Sequence, residues 1–195
     1  MSGYLEMIIG PMFSGKTSRI LEIYRKAKYC NTNVFVINHS IDNRYSPNEV
    51  VNHNNERIPC SNYTMLIEFI NFLKKKENNY LKYTETIVLI NEAQFFEDIK
   101  ECVIKLVEEF NFKVYLCGLD GDFERKQFGN FLQLIPYSNK ITKLNSLCFT
   151  CKNGNEAPFT YRYNSSDNNK QIMVGSNESY IPLCRSCYLK TYNNV

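Results

Sequence analysis

Short apolar runs alternate with stretches of helical spacing along most of the chain. The apolar runs predict buried strands at residues 5–9, 34–37, 86–90, 114–119 and 141–147. Apolar residues three or four positions apart predict amphipathic helices at residues 18–29, 65–73 and 99–110. Because strands that alternate with helices form parallel sheets, the pattern predicts an α/β fold with helices on both faces of a mostly parallel sheet.

One stretch breaks this alternation. Residues 38–59 show little periodicity and contain many asparagines, so we predict a long surface loop there. The polar cluster at residues 42–46 lies within it. Loops of this length inside compact domains are commonly functional or disordered.

The most informative segment joins the first strand to the first helix. It reads Gly10-Pro11-Met12-Phe13-Ser14-Gly15-Lys16-Thr17, the pattern G-x-x-x-x-G-K-T in its expected setting. Its glycines let backbone N–H groups turn towards a polyphosphate at the helix N-terminus. In such a loop Lys16 reaches the terminal phosphates and the Thr17 hydroxyl binds Mg²⁺. The alternative is a chance match at a tight turn, against which the flanking strand and helix argue.

The strand at residues 86–90 delivers an acidic residue at its carboxyl end, within Asn91-Glu92-Ala93-Gln94-Phe95-Phe96. The carboxyl ends of strands in an open α/β sheet face the ligand, so this ending is typical of a Walker B segment. Glu92 is therefore a candidate catalytic carboxylate. The alternative is an ordinary glutamate in solvent at a strand end.

Composition restricts the class of protein. A chain of 195 residues with 44% apolar residues suits one domain with a modest appendage. The net charge of +3 is spread out rather than clustered, so we predict no nucleic-acid partner. The sequence shows neither a signal peptide nor an apolar run long enough to cross a membrane, so we expect no membrane partner and a cytoplasmic location.

The eight cysteines form two groups. Four lie among apolar neighbours and are predicted to pack in the core: Cys30, Cys60, Cys102 and Cys117. The others form two C-x-x-C pairs: Cys148, Cys151, Cys184 and Cys187. Two such pairs complete a tetrahedral shell for Zn²⁺ with no open position, so the predicted site is structural. A redox pair or disulfides are the alternative.

A metal bound by these pairs would close the polar segment between them into a lid. We therefore predict two domains. Residues 1–147 form an ATP-binding α/β domain, and residues 148–195 form a smaller zinc-binding domain.

Several segments together resemble the type II thymidine kinases, the cellular and poxvirus type. They are the phosphate loop, the segment Asp-x-Arg-Tyr-Ser from residue 42, the strand end at Glu92, the run Leu-Asp-Gly-x-Phe-x-Arg-Lys-x-Phe-Gly at residues 119–129, and the two cysteine pairs. The resemblance extends in order from about residue 4 to about residue 190. It implies a RecA-like P-loop core with a zinc-tethered lasso that closes over the nucleoside.

The resemblance also implies a reaction, which is ATP- and Mg²⁺-dependent phosphorylation of the 5′-hydroxyl of thymidine, with Glu92 as general base and Zn²⁺ as a structural ion. It implies feedback inhibition by dTTP and a homotetramer. The residues it places around ATP and its phosphates are Gly10, Pro11, Met12, Phe13, Ser14, Gly15, Lys16, Thr17, Asp42, Arg44, Asn91 and Gln94. Those it places around the nucleoside are Met12, Phe95, Leu119, Phe123, Phe128, Thr160, Met173, Val174 and Tyr180.

One position departs from the family pattern. The family has Asp-Glu at the strand end, and this chain has Asn91-Glu92. An asparagine keeps a carbonyl oxygen for a metal-bound water but removes one negative charge beside Mg²⁺. We therefore predict that the protein contributes less to Mg²⁺ binding, that activity is retained, and that Asn91→Asp tightens Mg²⁺ activation.

Two other classes of function fit parts of the sequence. A RecA-like core with C-x-x-C pairs also describes an ATPase that grips nucleic acid, although the single small core and the lack of a basic stripe argue against it. The second is a non-catalytic nucleotide-binding or zinc interaction module, in which Asn91 would mark lost chemistry. Binding to single-stranded DNA tests the first, and turnover of thymidine with ATP tests the second.

Overall fold

The structure is a computed structural model that describes residues 2–42, 48–75, 85–163 and 179–192. Its central sheet consists of β1 (Tyr4–Ile9), β2 (Asn33–His39), β5 (Ser61–Tyr63), β6 (Thr86–Ile90), β7 (Lys113–Gly118) and β8 (Lys140–Lys143). The strand order is β5-β2-β6-β7-β1-β8, and every pair of neighbours is parallel. The predicted α/β fold with a mostly parallel sheet is confirmed.

Helices cover both faces of the sheet: α1 (Lys16–Tyr29), α2 (Leu66–Lys75) and α3 (Ile99–Glu108). Alternate residues of a strand point to opposite faces, and β1 shows this clearly. Leu5 and Met7 belong to the core that contains α2 and α3, whereas Ile8 belongs to the core that contains α1. Burial of each such side chain contributes about 1.5–3 kcal/mol, so the sheet is a firm platform for the loops at its carboxyl ends.

The sequence of α1 explains its position and its ends. Ile20, Leu21, Ile23 and Ala27 form its buried stripe and pack on the sheet. Its last turn carries lysines, whose charge suits the negative end of the helix dipole. The chain leaves the helix through Asn31, which has a φ angle of 54°.

Part of the predicted loop at residues 38–59 is wrong, because it contains a β-hairpin. Strands β3 (Glu49–Val51) and β4 (Arg57–Pro59) pair antiparallel. Val50 and Ile58 are buried against the core on the α1 side. Each strand is only three residues long, too short for its alternation to stand out among polar neighbours.

Two further predictions need correction. The run at residues 141–147 forms two short strands rather than one, since β8 pairs with β1 whereas β9 (Ser146–Leu147) pairs with β10 (Glu156–Ala157) in another sheet. Cys30 does not pack in the core, because it caps the exposed end of α1. Cys102 and Cys117 are buried as predicted, and Cys60 is partly buried.

The C-terminal part has its own small core. Strands β11 (Phe159–Arg162) and β12 (Tyr180–Leu183) pair antiparallel, and α4 (Arg185–Tyr192) follows β12. Buried residues of this core include Cys148, Leu183, Cys184 and Tyr188. Among the helices that the structure describes, none combines the length and the apolar character that crossing a membrane demands.

Candidate active site

The loop between β1 and α1 has the backbone that its glycines predict. Gly10 and Gly15 have φ angles of 153° and 84°, which residues with side chains rarely adopt. A Cβ on Gly10 would lie 2.3 Å from the Leu144 carbonyl oxygen, whereas a Cβ on Gly15 would meet nothing within 4 Å. Gly10 is therefore required by space and conformation, and Gly15 by conformation alone.

This loop ends at the N-terminus of α1, which begins at Lys16 and has no acidic residue in its first turn. The Lys16 ammonium lies over the loop, where Nζ donates to the Pro11 carbonyl oxygen at 2.5 Å and to Ser14 Oγ at 3.4 Å. The first turn of α1, the helix dipole and an ammonium group converge here. Together they form a site suited to a polyphosphate.

A cleft opens beside the loop at the carboxyl ends of the strands. The predicted site residues that line it are Met12, Phe13, Ser14, Gly15, Lys16, Thr17, Asp42, Glu92, Gln94, Phe95, Leu119, Phe123, Phe128, Thr160 and Tyr180. The structure thus brings members of the phosphate set and of the nucleoside set into one cavity. Gly10, Pro11 and Asn91 are not among the lining residues. Arg44, Met173 and Val174 lie outside the described residues.

Glu92 follows β6 directly and has a left-handed backbone, with φ 53° and ψ 43°. This conformation costs a non-glycine residue about 1–2 kcal/mol, and such strain is concentrated at functional sites. Gln94 Nε2 donates to Glu92 Oε2 at 2.6 Å, and Gln94 Oε1 accepts from the Leu119 N–H at 3.1 Å. Because Gln94 is only 3% exposed, its amide is a buried link between the carboxylate and the end of β7.

A second carboxylate, that of Asp42, reaches the cleft from beyond β2, the strand beside β6. Asn38 Nδ2 donates to Asp42 Oδ2 at 3.3 Å. Asp42 and Thr17 line the same cavity, and their side chains carry a carboxylate and a hydroxyl. Hard oxygen ligands of this kind suit Mg²⁺, so the residues present fit that ion.

Asn91 is buried, with 3% of its surface exposed, and its amide is used by protein neighbours. Its Nδ2 donates to Asn38 Oδ1 at 2.9 Å, and the Cys117 thiol donates to Asn91 Oδ1 at 3.0 Å. Burial raises the pKa of Cys117 to about 12, so the thiol keeps its proton. These bonds continue through Asn38 to Asp42. The role of Asn91 at a magnesium-bound water stays a prediction.

The apolar half of the cleft has aromatic walls. The rings of Phe95 and Phe128 meet edge to face with centroids 5.5 Å apart. The Met12 N–H donates to the buried Thr160 Oγ1 at 3.0 Å, which joins the phosphate loop to β11. A recess with aromatic walls and a few fixed polar groups suits a planar base.

Sequence reasoning missed six lining residues: Ser18, Val51, Asn52, His53, Gly121 and Asp122. Three belong to the hairpin and its turn. Asn52 Nδ2 donates to Ser18 Oγ at 3.2 Å, and the His53 ring lies 5.1 Å from the Phe13 ring, so the hairpin borders the phosphate loop. The feature of the sequence that could have indicated this hairpin is the pair Asn54 and Asn55, since asparagines favour turns between strands.

The two C-x-x-C pairs come together in what we call the cysteine cluster: Cys148, Cys151, Cys184 and Cys187. Their four Sγ atoms lie within 4.8 Å of one another, and all are free thiols. Tetrahedral zinc with Zn–S bonds of about 2.3 Å places its sulfurs about 3.8 Å apart, so a small contraction completes the shell. The cluster therefore fits a tetrahedral metal ion.

The thiols of the cysteine cluster influence one another. Burial opposes ionisation of Cys148, but hydrogen bonds from the backbones of Cys151 and Cys184 lower its pKa to about 6. The hydrogen bond with Cys184, followed by burial, raises the pKa of Cys187 to about 12. Opposite shifts are expected where neighbouring acidic groups share a site.

Comparison with known proteins agrees with this geometry. A family model described as thymidine kinase matches residues 3–188. A thymidine kinase of Bacteroides thetaiotaomicron is 32% identical over 188 residues, which cover 96% of this chain and 88% of that protein.

Viral proteins show the same likeness. A thymidine kinase of Choristoneura fumiferana entomopoxvirus is 36% identical over 187 residues, covering 94% of this chain and 95% of that protein. A thymidine kinase of Sheeppox virus is 32% identical over 187 residues, covering 95% and 97%. The likeness therefore extends over the cleft and the cysteine cluster together.

Proposed function

The chain belongs to the thymidine kinase family, and from this premise we propose that it transfers the γ-phosphate of ATP to the 5′-hydroxyl of thymidine, giving dTMP. The observation that supports the proposal most directly is that the phosphate-binding loop and the Glu92 carboxylate, which Gln94 holds by a hydrogen bond, line the same cleft. Lys16 and Thr17 line it together with Glu92. Phosphoryl transfer requires this pairing of a phosphate cradle with a group that positions the nucleophile.

On the donor side, backbone N–H groups of residues 13–17 and the Lys16 ammonium bind the β- and γ-phosphates. Lys16 leaves the Pro11 carbonyl to do so. Thr17 and Asp42 would hold Mg²⁺, which would supply positive charge beside the phosphates. Arg44 and Gln94 complete the proposed set around ATP.

On the acceptor side, Glu92 orients the 5′-hydroxyl and accepts its proton. In a loose transition state the attacking oxygen gains little charge early, so positioning contributes as much as deprotonation. Gln94 keeps the carboxylate in place through its 2.6 Å hydrogen bond. The proposed thymine pocket consists of Met12, Phe95, Leu119, Phe123, Phe128, Thr160, Met173, Val174 and Tyr180.

We propose Zn²⁺ as the ion of the cysteine cluster and a structural role for it. Four thiolates close the coordination shell, so no position is left for a substrate. The proposed domains follow from this site, with residues 148–195 as the zinc-binding domain beside an ATP-binding domain at residues 1–147. The small core around Leu183 and Tyr188 supports this division.

Regulation and assembly are proposed from the family resemblance. We expect dTTP to inhibit by feedback, and its addition to the assay tests this. We expect a homotetramer, which light scattering tests. Strands β5 and β8 are the two edges of the sheet, and Ile141 on β8 is exposed, so surface for association is present. A cytoplasmic location and the lack of a nucleic-acid partner stay predictions.

A substrate panel tests the proposed function. Thymidine, deoxyuridine, deoxycytidine and a purine deoxynucleoside are each incubated with ATP and Mg²⁺, beside Lys16→Met as an inactive control. We expect phosphorylation of thymidine by the wild type and at least a hundredfold loss in Lys16→Met, of the order found when an electrostatic stabiliser is removed. Turnover of ATP without a nucleoside product would contradict the proposal, and tight binding of single-stranded DNA at physiological salt would favour a nucleic-acid motor.

A further inference from the structure

Tyr188 connects two parts of the molecule that are far apart in sequence. It follows Cys187 directly in α4, its backbone N–H donates to the Cys184 carbonyl oxygen at 2.9 Å, and its side chain is 0% exposed. Its ring is part of the small core that contains the cysteine cluster. The position of this ring is therefore fixed by the same turn that presents two of the four sulfurs.

The hydroxyl of Tyr188 points out of this core to the wall of the cleft. It donates to the Phe123 carbonyl oxygen at 2.7 Å, across 65 residues of sequence. Phe123 lines the cleft. A short path of bonded and packed groups thus connects the cysteine cluster with a residue of the proposed thymine pocket.

The segment that receives this hydrogen bond is a rigid turn. Asp122 Oδ1 accepts from the N–H groups of Glu124 at 2.9 Å and Lys126 at 2.8 Å, and the Asp122 N–H donates to the Lys126 carbonyl oxygen at 2.9 Å. A turn closed by such bonds moves as a unit. Displacement of the Phe123 carbonyl would therefore carry the Phe123 ring and Asp122 with it, and both line the cleft.

Two arginines strengthen the same contact. The Arg125 guanidinium, from the tip of the turn, lies 4.5 Å from the centroid of the Tyr188 ring. The Arg162 guanidinium, from β11, lies 3.8 Å from the centroid of the Phe123 ring. A guanidinium stacked on an aromatic ring attracts it electrostatically and stabilises the contact. The turn and the C-terminal core therefore hold each other on both sides of the hydrogen bond.

We propose that Tyr188 is a positioning residue that makes the shape of the nucleoside pocket depend on the metal-bound state of the cysteine cluster. Metal fixes the turn that begins α4, α4 fixes the Tyr188 ring, and the hydroxyl fixes the Phe123 carbonyl. The inference rests on the proposed function, because it assigns the pocket to the nucleoside. It predicts that zinc affects thymidine binding more than ATP binding.

The test is Tyr188→Phe, which keeps the ring and its stacking but removes the hydroxyl. Loss of one buried hydrogen bond of this kind corresponds to about a fivefold to tenfold change, so we expect the Kd and KM for thymidine to rise by that factor. The zinc content and the KM for ATP should stay those of the wild type. Tyr163→Phe is the matched control, since this side chain of the same region is 46% exposed.

Removal of zinc by a chelator, combined with the Tyr188→Phe substitution, gives a double-perturbation cycle for thymidine binding. Removing zinc from the wild type should weaken thymidine binding, and the same treatment of Tyr188→Phe should weaken it by a smaller factor, because the connection is already broken. Equal factors would show that metal and hydroxyl act independently and would overturn the proposal. Unchanged thymidine affinity in Tyr188→Phe, a parallel rise in both KM values, or loss of its zinc would also overturn it.

Hydrogen exchange separates this inference from the proposed function. Backbone amides of residues 122–126 should exchange faster in Tyr188→Phe than in the wild type, whatever the substrate. If the wild type does not bind thymidine, the proposed function fails while this experiment still tests the connection. Unchanged exchange would show that the hydroxyl does not hold the turn.

Discussion

The carboxylate of Glu92 depends on its neighbours for its direction. Its backbone is left-handed at the end of β6. Gln94 Nε2 donates to one carboxylate oxygen, and Gln94 Oε1 accepts from the Leu119 N–H at the end of β7. A carboxylate that has to present a hydroxyl must be fixed to within a fraction of an ångström. The strained backbone and the buried amide together supply that precision.

Gln94→Leu removes the amide while keeping most of the volume. Glu92 then lacks its 2.6 Å donor, and the Leu119 N–H lacks its acceptor. We expect kcat for thymidine to fall about 10–100-fold, and the KM for ATP to rise by a smaller factor because Gln94 also belongs to the proposed set around ATP. Steady-state kinetics measure both. Gln133→Leu, at an exposed position, is the control, and an equal effect there would contradict a role for Gln94 in positioning.

Asn91→Asp replaces a buried amide by a carboxylate. The aspartate cannot donate to Asn38 Oδ1, so we expect the free energy of unfolding to fall by about 1–3 kcal/mol. If residue 91 acts on a magnesium-bound water, Mg²⁺ activation should tighten by about threefold to tenfold. Urea unfolding and a Mg²⁺ titration of the rate measure these effects, with the exposed Asn130→Asp as control. An unchanged titration would place residue 91 away from the metal.

At the residue scale, the sequence predicted what a local motif encodes. The phosphate loop and Glu92 could be predicted because their chemistry requires fixed residues next to a strand and a helix, and residues of the loop line one cleft with Glu92. The link through Gln94 and the chain from Cys117 to Asp42 depend on which strands are neighbours in the sheet. Periodicity does not carry that information.

Among the elements, the segment that follows β7 packs unusually closely on the one that follows β6. Gly129 has a φ angle of 66°, and a Cβ there would lie 2.1 Å from the Gln94 carbonyl oxygen. The glycine therefore permits the segment after β7 to approach Gln94, whose side chain donates to Glu92. This close backbone contact adds to the Phe95–Phe128 ring contact and the Gln94–Leu119 hydrogen bond in setting the relative position of the two segments.

Gly129→Ala tests that contact, with Gly154→Ala as matched control. Gly154 has a φ angle of 84°, but a Cβ there would meet nothing within 4 Å. Backbone strain alone should cost the control about 1 kcal/mol, whereas strain and collision should cost Gly129→Ala about 2–4 kcal/mol. Urea unfolding measures both variants. Similar losses would mean that the close approach relaxes without cost.

At this scale the sequence predicted the long elements and missed the short ones. Helix α1 and strands β1, β6 and β7 have strong periodicity and clear flanks. The hairpin of β3 and β4, the separation of β8 from β9, and the exposure of Cys30 depend on tertiary pairing and on where a helix ends. Short polar strands carry too few residues to reveal a pattern.

The whole molecule combines a parallel sheet, which carries the loop between β1 and α1, with a small core that contains four cysteines. The Met12–Thr160 and Phe123–Tyr188 hydrogen bonds join the two at the cleft. Met12 of the phosphate loop and Phe123 of the proposed thymine pocket therefore each have a hydrogen-bond partner in the C-terminal part. Loss of order in that part should affect substrate binding before it affects the sheet.

Cys151→Ser tests the metal at this scale. One missing thiolate should lower the zinc content from about one ion per chain to well below half, and the unfolding midpoint should fall by about 5 °C or more. Elemental analysis and calorimetry measure these quantities. Cys30→Ser, at an exposed cysteine outside the cluster, should change neither. Full zinc content in Cys151→Ser would contradict a four-thiolate site.

In the proposed reaction, the γ-phosphate of ATP bound at residues 10–17 is transferred to a hydroxyl that Glu92 presents, and ADP is left behind. The most direct measurement is single-turnover phosphorylation of thymidine by Glu92→Gln, with the dissociation constants of thymidine and ATP determined on the same preparation. We expect a rate lower by about 10²–10⁴-fold with both dissociation constants within about threefold of the wild type. A wild-type rate in Glu92→Gln would contradict it.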